Sequence, residues 1–329
     1  MQNQRLNALL EVLRRADAAA LHLAPGLAPC MRLAGRIVPI EAQSWSADEI
    51  TELVRDLLFA DHRQFLHDHG FVEVLYVAGD GRRFQATVAD HAGVPSLVLQ
   101  ALGAAPPRLA DLGLPNQVAL LAQVRSGLIV VAGGFGSRRD DTCQAIVDAW
   151  NQDAARHVAT FEASITCVHP PAAALLHQRQ VGMHTTCVAE GVAQALALGA
   201  DSLAVWAAND ADDLDAVLSA AEAGCAVLLN SSAGSVTGAL QQILTLAPLD
   251  NRTRARTRLA RVLRGVLAQQ QVTVPNRTSS AVIAEVLMVT GGVRAAIRSG
   301  NLHELPGLME RGRGHGMQTR GMALADLAK

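Results

Sequence analysis

From about residue 115 the chain alternates short apolar runs with helical stretches, and this feature constrains the fold most. The runs "GLIVVAG", "HVATFEA", "SLAVWAA" and "CAVLLNSS" carry few polar residues, as strands buried on both faces require. Between them lie "CQAIVDAW", "TTCVAEGVAQALALG" and "DDLDAVLSAAEAG", which read as helices. Strand–helix alternation of this kind predicts a parallel α/β sheet. The last third, from "GSVTGALQQIL" on, reads as mainly helical, with a short strand signal around "SAVIAEVLMV".

The first hundred residues have a different rhythm. A helix opens the chain, and short strands follow in "ALHLAP" and "MRLAGRIVPI". A helix is predicted from Ser46 to His69, because Ser46 and Glu49 have the spacing of a capping box. The strands "FVEVLYV" and "RFQATVA" are joined by "AGDGR", a hairpin turn. Strands mixed with helices predict a small α+β domain. The Pro- and Gly-rich stretch "LGAAPPRLADLG" marks a boundary, giving domains at 1–104 and 112–329.

The chain's 329 residues suffice for two domains, and aromatics make up only 3%, so Ala, Leu and Val must build the cores. A net charge of -2 gives no reason to expect a nucleic-acid surface. The N-terminal helix is interrupted by charges, and reads as neither a signal peptide nor a membrane span. The five cysteines are scattered, with no CxxC pair. They read as small buried hydrophobes in a reducing compartment, which points to the cytoplasm.

One segment carries chemistry. In "LIVVAGGFGSRRDDT", Leu128–Thr142, a buried strand runs into a glycine-rich loop and then a helix. That is the layout of a phosphate-binding loop, whose backbone N–H groups cradle an anion. Yet Arg138, Arg139 and Asp140 stand where such a loop has Gly, Lys and Ser or Thr. The only lysine in the chain is its last residue, Lys329.

The order of segments resembles the PilT-type retraction ATPases of type IV pili, within the GspE/PilT-like secretion ATPase superfamily. "ALHLAPGLAPCMRLAGRIVPI" is similar to that family's N-terminal segment, and "GLIVVAGGFGSRRDDT" to its Walker A strand and loop. "HVATFEASITCVH" resembles its aspartate box, and "SLAVWAANDADDLDAVLSAAEAG" its Walker B strand and helix. "LLNSSA" falls at the histidine box, and "GHGMQTRGMALADL" is close to the family's tail. The resemblance implies an α/β chain: an N-terminal PAS-like α+β domain, then a RecA-like P-loop NTPase-fold domain with a helical C-terminal part. It also implies a hexameric ring in the twitching-motility machinery.

The same resemblance marks departures. Gly133 keeps the turn after the strand, and Gly136 and Ser137 keep the pattern. Arg138 replaces a glycine whose conformation other residues rarely adopt. Arg139 replaces the lysine, and Asp140, with Asp141 beside it, replaces the hydroxyl that holds magnesium. At about 4 Å and an effective dielectric of about 20, each carboxylate repels a unit negative charge by about 4 kcal/mol. Pairing of Arg138 and Arg139 with these acids would fill the loop with its own salt bridges. The alternative is that the aspartate binds Mg²⁺ directly. In the aspartate box Glu162 remains, either polarising a water or simply solvated, while Ala163 and Thr166 replace the other acids. The Walker B region supplies Asp201, Trp206 and Ala207. Ala207 takes the place of the group that activates water, and Trp206 either occupies γ-phosphate space or packs as core. Ser232 replaces the histidine of the histidine box. Three family arginines fall at Gln85, Gly93 and Gln100, and Arg83 alone of that cluster is kept.

Taken together, the resemblance implies a catalytically inactive pseudo-ATPase acting as a regulatory or accessory subunit. A nucleotide-binding protein, or an active retraction ATPase with atypical residues, is the alternative. No cofactor is expected unless the altered site still binds ATP and Mg²⁺, and no metal site is expected. The implied partners are copies of itself, another pilus motor subunit, or inner-membrane platform proteins. Localisation is cytoplasmic, with peripheral attachment at the inner membrane as an option. Arg294 and Arg298 match a family segment and suggest a partner surface; two solvated arginines one turn apart is the plainer reading. His62, His67 and His69 invite a metal site but lack supporting ligands. Arg254, Arg258 and Arg261 fall on one helical face, a strip for an acidic partner or lipid headgroups, or a solvated face.

Overall fold

The computed structural model describes residues 2–327, apart from Asp17, Ala34, Gly35, Glu41, Ala42, Ala92, Gly103, Ala104, Ala207 and 274–279. The chain divides into two compact units. One comprises Met1–Ala105 with Ser164–Val168, the other Pro106–Ala163 with His169–Lys329.

The first unit begins with α1 (Gln2–Arg15), β1 (Ala20–Leu23), β2 (Cys30–Leu33) and β3 (Arg36–Pro39). Helices α2 (Ala47–Leu57) and α3 (Ala60–His69) follow, then β4 (Phe71–Val77), β5 (Arg83–His91) and β6 (Val94–Ala101). Among the described residues the strands form one antiparallel sheet in the order β3-β2-β1-β6-β5-β4. Leu6, Leu10 and Leu13 of α1, Ile50 and Leu53 of α2, and Phe84, Leu97 and Leu99 of the sheet are buried together with Trp45.

Ser46 caps α2 with both bonds of a capping box: Glu49 N donates to Ser46 Oγ at 3.2 Å, and Ser46 N donates to Glu49 Oε2 at 2.8 Å. The single helix expected to His69 is two helices. Leu58 is extended, at φ -98° and ψ 132°. The Arg63 guanidinium donates to the carbonyls of Arg55 and Leu58, taking the place of the next helical turn. Strand β6 was not expected from the sequence. Pro95 lies next to the hairpin end, opposite Asp90, where an absent N–H costs little.

The second unit runs α4 (Gln117–Ala122), β7 (Gly127–Gly133), α5 (Arg139–Asn151), β8 (His157–Glu162), β9 (Leu175–Gln180), α6 (Val188–Ala197) and β10 (Ser202–Val205). It continues with α7 (Ala211–Glu222), β11 (Ala226–Ser231), α8 (Val236–Leu246), α9 (Arg252–Val262), β12 (Leu263–Thr273) and β13 (Ser280–Met288). Helices α10 (Gly291–Ser299), α11 (Leu305–Arg311) and α12 (Arg320–Leu327) close it. The sheet order is β13-β12-β7-β11-β10-β8-β9. All neighbours are parallel except the β12–β13 pair.

Strand β7 is buried throughout, as are β10 and β11, because apolar clusters cover both faces. One cluster gathers Leu128, Val130, Phe161, Leu203 and Leu229, and the other Ile129, Val131, Ile146, Trp150 and Leu228. The C-terminal third is mainly helical, as expected, and β13 matches the strand signal, but β12 beside it was not expected. Its hairpin β12–β13 pairs over nine residue positions and adds two strands beside β7. The run Gln269–Gln271 interrupts the apolar pattern of β12 and hides it from a periodicity reading. Strand β9, "LLHQRQ", is also hidden by its polarity, and it is an edge strand. No helix among the described residues is long and apolar enough to cross a membrane.

Candidate functional site

Parallel strands deliver their carboxyl ends, and the loops that follow, to one edge of a sheet, where such folds bind ligands. Here the loop from Gly134 to Arg138 leaves β7, which has β12 on one side and β11 on the other. The local sequence shapes this loop. Gly136 adopts φ 74°, and Arg138, preceding α5, adopts φ 62° and ψ 22°. Arg138 is the only non-glycine residue with positive φ among the described residues. Left-handed backbone costs a residue with a Cβ about 1–2 kcal/mol.

Gly133 has no room for a side chain. A Cβ there would lie 2.2 Å from Ser137 Oγ and 2.9 Å from the Gln269 carbonyl oxygen. The loop's charged residues are engaged with the protein itself. Arg138 Nε donates to Asp141 Oδ2 at 2.8 Å. Arg139 Nη1 donates to the Gly133 carbonyl, and its Nε lies 3.9 Å from Asp140 Oδ1. Asn230, on β11, donates from Nδ2 to Asp140 Oδ1 at 2.6 Å. From β12, Gln269 Nε2 donates to the Ser137 carbonyl at 2.9 Å and Gln269 Oε1 accepts from Thr142 Oγ1 at 2.8 Å. A cleft of about 640 Å³ opens beside the loop, lined by Gly134, Phe135, Gly136, Ser137, Gln269–Val272 and Arg320 among others.

Glu162 ends β8 and is not solvated, contrary to the plainer sequence reading: its exposure is 0%. Thr160 Oγ1 and Gln178 Nε2 donate to its Oε1 at 2.7 and 3.1 Å, and Gln144 Nε2 donates to its Oε2 at 3.1 Å. Gln144 Oε1 in turn accepts from His169 Nε2 at 2.8 Å, and His169 Nδ1 lies 3.7 Å from Asp148 Oδ1. Burial raises the Glu162 carboxyl above its usual range; the three donors pull the other way without reversing the shift. Burial likewise holds His169 below its usual value, against the pull of Asp148. The network ties α5, β8 and β9 together. Sequence reasoning missed Gln144, His169, Gln178 and Gln269: Gln178 and Gln269 lie far from the loop in sequence, and Gln144 and His169, though close to the motifs, match no motif position.

Trp206 follows β10, half-buried, with its backbone amide donating to the Phe161 carbonyl at 2.9 Å. It packs against the cluster around Trp150 and also lines a cavity of about 180 Å³ shared with Arg139, Asn230 and Ser232. The core and site readings of Trp206 thus describe two sides of one ring. Ala207 lies outside the described residues. Asp201 is not brought to this edge. It precedes β10, at the strand's other end, and accepts from Ser202 Oγ at 2.7 Å and from the His157 amide at 3.2 Å. Ser232 accepts from Gln242 Nε2 at 3.1 Å.

Other sequence candidates fall elsewhere. Gln85 and Gln100 face each other across β5 and β6, with Arg83 two residues along, but Gly93 lies at the opposite end of that hairpin. Arg294 and Arg298 lie on α10, half-buried and exposed. Arg258 and Arg261 are not a free basic strip: both pair with Glu222 of α7, and Arg258 also with Asp215. His62 accepts the Phe59 amide at 3.4 Å, and His69 stacks on Phe65 at 4.0 Å. No group of three or more metal-ligating side chains occurs among the described residues.

No protein-family model matches the sequence. The chain is 29% identical over 304 residues to "Uncharacterized protein YggR" of Escherichia coli, covering 92% of each chain. It is 26% identical to "Type IV pilus ATPase PilU" of Pseudomonas aeruginosa, covering 97% of this chain and 84% of that one. The crystal structure of the pilus retraction motor PilT with bound ADP superposes with a TM-score of 0.87, at 27% identity, over 97% of this chain and 91% of PilT. The segment order read from the sequence, the loop at the carboxyl edge of a parallel sheet and these end-to-end similarities agree: the chain is PilT-like over nearly its whole length.

Proposed function

We propose that this chain is a PilT-like subunit of the type IV pilus machinery that works by binding, as a regulatory or accessory subunit, and does not hydrolyse ATP. The observation that carries this reading is the loop after β7, whose charged side chains are bonded to the protein's own groups. These residues do not fit a magnesium triphosphate. Arg139 spends its charge on the Gly133 carbonyl, Asp140 presents an anion where the metal's hydroxyl ligand belongs, and Arg138 leaves no glycine at the left-handed position. A lone point charge is also what a planar guanidinium cannot imitate. Glu162, the one acid kept from the aspartate box, is fully buried behind three donors from the protein's own side chains, so it offers no open oxygen to an attacking water.

On the same reading the first unit is a PAS-like domain and the second a RecA-like one, at 1–104 and 112–329. The protein joins a hexameric ring of its own copies or of an active motor at the cytoplasmic face of the inner membrane. The test is turnover of Mg²⁺-ATP by purified protein. Release of phosphate above the no-enzyme background, abolished by Arg139→Ala and unaltered by Ala207→Glu, overturns the proposal.

A second reading is supported by the cleft of about 640 Å³ beside the loop and by the ADP in the PilT crystal structure. On that reading a nucleotide binds without being hydrolysed, at the N-terminus of α5, where backbone N–H groups favour anions. A thermal-shift titration with ADP and ATP decides it: saturable stabilisation lost in Arg139→Gln supports it, and no response rejects it.

A further inference from the structure

Helix α9 carries five arginines, and two pairs of them have different fates. Arg258 and Arg261 are tied to carboxylates of α7. Arg252 and Arg256 instead line a separate cavity of about 340 Å³, together with Thr237 and Gln241 of α8, Gly300 after α10, and His303. No acidic side chain lines this cavity, and neither arginine has an acidic partner among the described residues. Arg252 Nε is buried without a hydrogen-bond acceptor. A guanidinium N–H withdrawn from water and left unpaired is costly. The two arginines are four residues apart, on one face of α9, where like charges repel.

Glycine at position 300 is part of the arrangement. At φ +83°, a Cβ there would lie 2.9 Å from both Cζ and Nη1 of Arg256. Its absence lets the guanidinium lie against the backbone at the cavity wall. The nearby acid Glu304 accepts from Asn301 and does not line the cavity. A small, cation-rich cavity with an unsatisfied donor calls for a compact anion with several acceptor oxygens. Its volume is at the low end for ligand pockets, which suits a single phosphate group with little attached.

We propose that this cavity binds a small phosphate-bearing anion, clamped by Arg252 and Arg256, with His303, Gln241 and Thr237 as further hydrogen-bonding groups. The site shares no lining residue with the loop after β7, so it stands whether or not that loop binds nucleotide.

The test is calorimetric titration of the full chain with inorganic phosphate and pyrophosphate, at ionic strength matched with sodium chloride. Saturable binding is expected, weakened about tenfold or more in the Arg252→Gln/Arg256→Gln double variant. On the unaltered protein, hydrogen–deuterium exchange with and without pyrophosphate gives an independent readout. Slowed exchange confined to residues 237–256 and 300–303 is expected, and it decides the matter if the double variant does not fold. The proposal is overturned by the absence of saturable binding, or by affinity equal in the double variant. It is also overturned by binding that survives there but vanishes in Arg139→Gln. Self-association of the free protein that the double variant abolishes would assign the cavity to acidic side chains of a second copy, and would equally overturn it.

Discussion

Replacing Arg138 by glycine and, separately, by alanine isolates the backbone of the loop after β7. Both changes remove the Arg138–Asp141 pair, whose side chains are 45% and 43% exposed, so that loss of about 0–1 kcal/mol cancels between the two variants. What differs is one Cβ. At φ 62° and ψ 22° the alanine Cβ costs about 1–2 kcal/mol that glycine avoids. Glycine gives back about 0.4–1 kcal/mol through its freer unfolded chain. The expected balance is a glycine variant more stable than the alanine variant by about 0.5–1 kcal/mol. In the interior of a right-handed helix the order is the reverse, with alanine ahead by about 0.8–1 kcal/mol. The sign is therefore the result. Urea unfolding followed by fluorescence in a Trp45→Phe background reports the second unit through Trp150 and Trp206, and equal m-values make the midpoints comparable. An alanine variant as stable as the glycine variant, or more so, refutes the left-handed assignment at 138.

Three further outcomes are expected. Gly133→Ala drives a Cβ against Ser137 Oγ at 2.2 Å and the Gln269 carbonyl at 2.9 Å, and should cost about 1–3 kcal/mol in urea unfolding; a neutral effect would mean the loop relaxes freely. Glu162 has its folded value raised, chiefly by burial, so its contribution is full below the ordinary value of 4.5 and is lost as pH rises through the folded value. The stability of the parent protein relative to Glu162→Gln should then decline as pH climbs from 4.5, and a pH-independent difference would contradict the shift. Burial alone would raise Glu222, but hydrogen bonds from Arg258 and Arg261 outweigh it and hold the carboxyl below its usual range. Arg258→Ala should therefore destabilise by about 1–2 kcal/mol at neutral pH. That difference should shrink as pH falls through the folded value of Glu222; a loss that persists in acid would show packing, not charge, to be responsible.

What could be read in the sequence depended on whether a signal was local. β7, β10 and β11 were legible because burial on both faces leaves only apolar residues at each position. The capping box at Ser46 and Glu49 was legible for the same reason, since both partners lie within one turn. β12 and β9 were not, because Gln269–Gln271 and "HQRQ" are satisfied by partners distant in the chain. The helix break at Leu58 has no Gly or Pro, and it rests on a capping arginine downstream. At the site, the positions of Gly133, Arg138, Arg139 and Asp140 followed from the strand–loop–helix layout. The burial of Glu162 did not, because Gln144 and Gln178 reach it from α5 and β9. Asp201 shows the converse: adjacency to Trp206 in sequence becomes separation by the length of β10 in space.

The turn after β7 is moored at three independent points: Arg138 to Asp141, Arg139 to the end of its own strand, and Asp140 to Asn230 on the neighbouring strand. Releasing one mooring leaves the other two in place. A lone exchange at any of these positions therefore leaves the turn tied down, and freeing it takes replacement of all three side chains together.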